Sequence, residues 1–209
     1  MITEVLALSD ALSLSRAEEV LKNSGLVAFP TDTVYGVGAL AFNGDSIERL
    51  YNVKIRSKEL PLPILIAGSE QLNLVSQNLP RIAKILADHF WPGPLTIIVE
   101  RHPGLPKDMS GTSTVGVRVP DHAFAQDLFK LVGPMAVSSA NLSGHPNSRT
   151  SEEVLADLDG KIELLVNGGL TPGQIPSTVV DCTAETPLIL RKGPISLDQI
   201  LSVLSKELL

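Results

Sequence analysis

The sequence predicts an α/β layered domain, with helices packed on a central sheet. Three observations predict it. Apolar runs of strand length interleave with helix-period stretches along the whole chain, and cap or turn residues separate them. Hydrophobic residues make up 44% of the 209 residues, enough for a substantial core. Aromatic residues are only 4%, so that core must be mostly Leu, Ile, Val and Ala. No internal repeat or low-complexity linker divides the chain, and one domain over 1–209 is expected.

The first helix is signalled by Ser15 and Glu18 at capping-box spacing, apolar Val20 and Leu21, and a stop at Gly25. Leu26–Phe29 reads as a buried strand. A second helix starts at Asp45, with Glu48 at capping-box spacing, and runs through Ile47, Leu50 and Tyr51; Lys54 falls at or just beyond its end. Leu62–Ala67 is a strand set off by Pro61 and Pro63. Pro80 suits the first turn of a helix through Ile82, Ile85, Leu86 and Phe90, which Trp91-Pro92-Gly93-Pro94 stops. Leu95–Glu100 is a strand, and His102–Thr114 a polar loop of the size often found as a lid. Val115–Val119 is a strand, followed by a helix capped by Asp121 and carrying Phe124, Leu128 and Leu131. Met135–Val137, Glu163–Val166, Thr178–Asp181 and Leu188–Leu190 complete the strands. Ser196 and Gln199 cap a last helix, Leu197 to Leu208.

The bulk numbers exclude several classes. With 17 basic against 23 acidic residues, the formal charge of −6 argues against a protein that coats nucleic acid over its whole surface, while leaving room for a local basic cleft. The single cysteine, Cys182, rules out a disulfide framework or cysteine-rich zinc site and reads as a buried thiol. No apolar run approaches the ~20 residues that span a membrane, and Met1 to Ser15 lacks the basic start of a secretory signal. A cytoplasmic protein without a membrane partner is the expectation.

The common nucleotide motifs are absent: there is no G-x-x-x-x-G-K-[ST] loop and no G-x-G-x-x-G turn. His89, His102, His122 and His145 lack metal-ligand spacing, and no G-x-S-x-G elbow supports a serine nucleophile. What remains is a set of polar clusters at strand ends. Pro30-Thr31-Asp32-Thr33-Val34-Tyr35-Gly36-Val37-Gly38 follows a strand and can bring amides and hydroxyls to a ligand, or be a plain turn. Lys54-Ile55-Arg56, with Lys58 close behind, suits a polyanion such as a triphosphate, or is a solvated basic patch. Ser138-Ser139-Ala140-Asn141-Leu142-Ser143-Gly144 can donate to phosphate or sugar oxygens, or cap a helix. Ser177-Thr178 and Arg191-Lys192-Gly193-Pro194 lie beside strands and read equally as turns. Arg118, a strand arginine between valines, calls for an anionic partner: a ligand, or a neighbouring carboxylate.

Taken in order, these clusters, together with Trp91-Pro92-Gly93-Pro94-Leu95-Thr96 and Val117-Arg118-Val119-Pro120, resemble the YrdC-like family, the L-threonylcarbamoyladenylate synthases. The resemblance runs from about Leu12 to about Ile200. It implies a three-layer fold of α/β (α+β) type, with a twisted mixed sheet and a concave electropositive cleft. It implies condensation of L-threonine, bicarbonate and ATP into threonylcarbamoyl-AMP with release of pyrophosphate, feeding a downstream threonylcarbamoyl-transferase machinery that modifies tRNA. By similarity, Lys54, Arg56, Ser139, Asn141 and Arg191 would line the ATP side, joined by Thr114 and Asn147. Lys54 and Arg56 would neutralise the phosphates and so act catalytically. Thr31, Arg118 and Ser177 would hold threonine. Mg2+ would ride on the ATP phosphates, with no protein metal site. Many relatives carry Pro where this chain has Ser57; Pro63 follows Pro61-Leu62, and Leu65 stands where some relatives place a threonine-contacting histidine. These departures bear on threonine contacts rather than on the reaction. The chain resembles the catalytic domain alone, without the extra C-terminal domain of longer relatives. Two other classes fit less well: a noncatalytic module for structured RNA, and the carbamoyl-transfer domain of hydrogenase-maturation proteins, which normally sits among segments this chain lacks.

Overall fold

The computed structural model describes residues 2–109, 111–173 and 175–207. Its strands are β1 (Glu4–Ala7), β2 (Val27–Phe29), β3 (Gly36–Leu40), β4 (Ile64–Leu65), β5 (Leu95–Glu100), β6 (Thr114–Arg118), β7 (Met135–Ser139), β8 (Leu164–Asn167), β9 (Thr178–Asp181) and β10 (Leu188–Arg191). They form one mixed sheet in the order β1-β8-β2-β3-β7-β4-β6-β5-β9-β10. The helices are α1 (Ser13–Lys22), α2 (Gly44–Val53), α3 (Leu72–Val75), α4 (Arg81–Phe90), α5 (Ala123–Val132), α6 (Ser151–Leu158) and α7 (Leu197–Glu207).

Helices cover both faces, giving three layers. The larger core joins Ile47, Leu50 and Tyr51 of α2, Leu86 of α4, Val154 and Leu158 of α6, and Leu204 of α7 to one face of the sheet. The smaller core packs α1 (Ala17, Val20, Leu21) and α5 (Phe124, Leu128, Phe129) against Val27, Phe29, Val137, Leu164 and Val166 on the other. The α1–α5 layer therefore sits over β2, β7 and β8, and the β6-β5-β9 side of that face is left for something else. Among the described residues, no helix is long and apolar enough to cross a membrane.

Several predicted elements hold, β5 and β9 to the residue, and the Ser196–Gln199 capping box closes with Gln199 N–H donating to Ser196 Oγ at 3.2 Å. Leu208, the predicted end of the last helix, lies outside the described residues. Three predicted caps are different. Helix α1 starts at Ser13 with no side-chain cap, and Ser15 Oγ instead donates to Leu12 O at 3.1 Å. Helix α2 is capped by Asn43, which accepts from Ser46 N–H at 3.0 Å, so Asp45 falls inside the first turn. Helix α5 has His122 rather than Asp121 at its N-cap, again without a side-chain bond. The predicted Leu62–Ala67 strand shrinks to Ile64–Leu65, because the chain turns at Gly68 into a 3-10 turn and α3.

Strands β1 and β3 and helix α6 were not expected from the sequence. β3 carries two glycines, which read as a turn, yet it pairs with β2 and β7. A Cβ on Gly38 would stand 2.8 Å from Val137 Cγ2 and 2.9 Å from Ala136 O, so glycine is what allows β3 and β7 to lie together. Among the described residues of the 102–114 loop, Leu105 and Met109 are buried in the larger core and Tyr51 Oη donates to Met109 O at 2.7 Å, so this part is packed core where a lid was expected.

Candidate active site

The uncovered part of the sheet becomes a pocket because of strand alternation. Leu95, Ile97 and Val99 of β5, and Val115 and Val117 of β6, point into the larger core. Their neighbours Thr96, Ile98, Gly116 and Arg118 face the other way and line a cavity of about 280 Å³. Thr31, Arg56, Ser139, Asn147, Ser177 and Arg191 line the same cavity.

The deep end is an ordered cluster of hydroxyls around one guanidinium. The turn after β2 folds on itself, with Thr31 Oγ1 donating to Val34 O at 2.7 Å and accepting from Thr33 N–H at 3.2 Å. Arg118 reaches it from β6 and donates through Nη1 to Thr33 Oγ1 at 3.0 Å and through Nη2 to Asp32, its ion-pair partner. Its Nε donates to Gly93 O at 2.9 Å, so the Trp91-Pro92-Gly93-Pro94 stop doubles as the seat of this arginine. Burial pulls the Arg118 pKa below the ordinary arginine value, and Asp32 opposes that pull. Asp32, without a role in the sequence reading, is thus the carboxylate that lets a cation sit at 5% exposure.

A second network adjoins the first. Thr96 Oγ1 and Ser177 Oγ share a hydrogen bond of 2.8 Å, and Arg191 donates to Ser177 Oγ and Ser177 O, each at 3.0 Å. Gly193 explains the Arg191-x-Gly193 spacing: a Cβ there would stand 2.3 Å from Thr178 N and 2.6 Å from Ser177 C. Desolvation, then repulsion from Arg118 and Arg56, lowers the Arg191 pKa.

The Lys54-Ile55-Arg56 segment is the end of α2. Arg56 N–H donates to Tyr51 O at 3.0 Å and Ile55 N–H to Asn52 O at 3.1 Å, the two bonds of a Schellman stop. The residue between them must be left-handed, and here it is a β-branched one, Ile55 at φ 52° and 76% exposed. This reversal sends the two cations different ways. Arg56 goes to the pocket wall, where its guanidinium donates to Leu60 O at 3.0 Å and Pro61 O at 3.2 Å. Lys54 goes inward, to 1% exposure, and its ammonium donates to the carbonyl oxygens of Ser139 and Asn141. Burial first, then Arg56, pulls the Lys54 pKa down to about 8.

The structure thus gathers seven of the sequence-derived residues on one cavity and puts three elsewhere. Lys54 and Asn141 lie behind the wall. The Asn141 amide donates to Leu142 O and His145 O, both at 2.8 Å, leaving its Oδ1 without a partner among the described residues. Thr114, at the far end of β6, is not part of the lining, and its Oγ1 is 3.5 Å from Thr112 Oγ1. Sequence reasoning gave no role to Asp32, Thr33 or Thr96. The first two lay in the Pro30–Gly38 motif, and Thr96 follows the Trp-Pro-Gly-Pro stop. The pocket lining holds no Asp or Glu among the described residues. Arg56 and Arg191 have no carboxylate within ion-pair distance among them.

Comparison with known proteins fits this geometry. The Sua5–YciO–YrdC family model, described as telomere recombination, matches residues 19–193. A Bacillus subtilis protein named threonylcarbamoyl-AMP synthase is 40% identical over 206 residues, covering 97% of this chain and 59% of its own length. A Mycobacterium tuberculosis protein named putative threonylcarbamoyl-AMP synthase is 37% identical over 211 residues, covering 99% of this chain and 97% of its own. The crystal structure of Pyrococcus abyssi Sua5 complexed with L-threonine superposes with a TM-score of 0.90 at 38% identity, over 97% of this chain and 60% of that one. The chain therefore spans about three fifths of the Bacillus and Pyrococcus proteins and nearly all of the mycobacterial one.

Proposed function

The chain belongs to the Sua5–YciO–YrdC family, and from that premise we propose that it makes L-threonylcarbamoyl-AMP from L-threonine, bicarbonate and ATP. Pyrophosphate is released, and the product feeds N6-threonylcarbamoyladenosine formation in tRNA, in the cytoplasm. One observation carries the reading. A single cavity joins an ordered hydroxyl–guanidinium cluster at its deep end to two guanidinium groups that have no carboxylate partner among the described residues.

The substrates supply both nucleophiles. The threonine amine adds to the carbon of bicarbonate, giving a carbamate and water, or to that of CO2, giving a carbamate and a proton. A carbamate oxygen then attacks the α-phosphorus of ATP, and the bond to pyrophosphate breaks. The protein's task is to position and to stabilise charge. Arg118, oriented by Asp32 and Thr33, keeps part of its donor fork for the threonine carboxylate. Thr31 and Ser177 line the same end. Arg56 and Arg191 face the phosphates and take up the charge that grows on the leaving pyrophosphate, giving the cleft its electropositive end. Lys54 serves the same wall from behind, through the carbonyls it holds. Ser139 and Asn147 provide short polar groups for the nucleotide. Mg2+ would arrive with the ATP phosphates and neutralise their charge, since the lining offers it no carboxylate.

The test is incubation with ATP, L-threonine and 13C-bicarbonate, followed by mass spectrometry. A threonylcarbamoyl adenylate carrying the label is expected. ATP turnover with no labelled adenylate would overturn the assignment.

A further inference from the structure

Ser138 and Ser139 enter the pocket at the end of β7, and Asn147 enters it a few residues later. The segment between them, residues 140–146, leaves the pocket and returns, so its path fixes where both entry points stand. From below it is held by Lys54. The ammonium takes the carbonyls of Ser139 and Asn141, and Ser143 N–H donates to Lys54 O at 3.0 Å. At its near end, Ala140 N–H donates to Tyr35 O at 2.8 Å, and Ser148 Oγ donates to Ala140 O at 2.8 Å. The outer side of the segment is held by α6. Asp157 Oδ2 accepts from Leu142 N–H at 2.9 Å, while its Oδ1 lies 2.9 Å from His145 Nδ1. The carboxylate side chain is 15% exposed against 54% for the histidine, so it is the anchored member of the pair. Partial burial would raise its pKa, and the Leu142 N–H and His145 outweigh that, leaving the carboxyl below its ordinary value.

We propose that Asp157, outside the pocket, is a positioning residue for the nucleotide: together with Lys54 it holds residues 139–145 and so sets Ser138, Ser139 and Asn147 at the cavity wall. This rests on the assignment of that wall to ATP. Both bonds made by Asp157 reach the segment beyond its attachment to Tyr35, where the other described hydrogen bonds come from Lys54, from Asn141, and from His145 N–H, which donates to Leu142 O at 3.0 Å. Losing them frees the outer half of the segment without touching the threonine end.

Calorimetric ATP binding and steady-state kinetics on the full chain test this, with Asp157→Ala, Asp157→Asn and His145→Ala. In Asp157→Ala the Kd and KM for ATP should rise about tenfold while the KM for threonine stays within about twofold. Asp157→Asn keeps an acceptor for Leu142 N–H and should recover most of the affinity. His145→Ala, which truncates a half-exposed side chain and so spares the core, should weaken ATP about threefold. Unchanged ATP affinity in Asp157→Ala and His145→Ala, or equal losses for ATP and threonine, would overturn the positioning role. If the wild-type protein binds no ATP, the nucleotide assignment itself falls and this role with it.

Discussion

Arg118 and Arg56 line the same cavity, but their surroundings differ. Arg118 is buried, ion-paired to Asp32 and hydrogen-bonded to Thr33 and Gly93. Arg56 is half-buried and, among the described residues, donates to the carbonyls of Leu60 and Pro61. A paired cation held on several sides is a template: it orients a ligand whose own charge is small. A cation resting on carbonyls retains its full charge for a polyanion and can follow that charge as it moves. The same division separates Lys54 from Arg56 two residues apart. One is spent on the backbone behind the wall, and the other is displayed on it. The proposed assignment, an amino acid at the deep end and a triphosphate at the outer end, follows this division.

Substitutions that remove one kind of cation should not look like removal of the other. Arg56→Ala should lower turnover by about two orders of magnitude or more, with the melting temperature nearly unchanged, because the two carbonyls that lose its guanidinium, those of Leu60 and Pro61, belong to exposed residues that water can reach. Lys54→Ala should also lose turnover, but with loss of stability, since two carbonyls lose their donor. Steady-state rates and thermal melts on both variants read the contrast; near wild-type rates in both would end the phosphate role.

Asp32→Ala should act mainly on stability. It leaves the Arg118 guanidinium buried without its counter-charge, which costs about 3 kcal/mol. Denaturant titration measures it, and the KM for threonine should rise while that for ATP changes little. A neutral effect on folding would mean that Arg118 does not depend on Asp32.

The smallest effect concerns the turn that parts Lys54 from Arg56. Ile55 occupies a left-handed conformation at φ 52° that glycine adopts without steric cost. Ile55→Gly should stabilise the protein by about 1 kcal/mol and leave turnover unchanged. A loss of activity would show that the rigidity of this junction, and not only its direction, serves the site.

The sequence was most readable where one local rule decided the outcome. Strand β5 alternates between core and pocket, and the Ser196–Gln199 box starts α7. It was least readable where a long-range contact overrode local preference. β3 looks like a turn because of Gly36 and Gly38, and is a central strand because those glycines admit β7. Helix α6 begins at a Thr150–Glu153 capping box, a local signal at the ordinary spacing. Arg118 did announce its need for an anionic partner, but nothing local could say that Asp32, 86 residues earlier, meets it. Likewise the Lys-x-Arg pair reads as two equivalent cations, and only the reversal at Ile55 makes them different. Seven of the ten residues singled out from the sequence lie on one cavity; the parts of Asp32, Thr33 and Thr96, and the division into paired and displayed groups, were not legible.

Pyrophosphate release from ATP by the wild-type protein, with threonine and bicarbonate omitted in turn, tests the two-ended cavity most directly. Release that requires both is the expected result. Release that continues without threonine would contradict it, since the deep end would then have no part in the reaction.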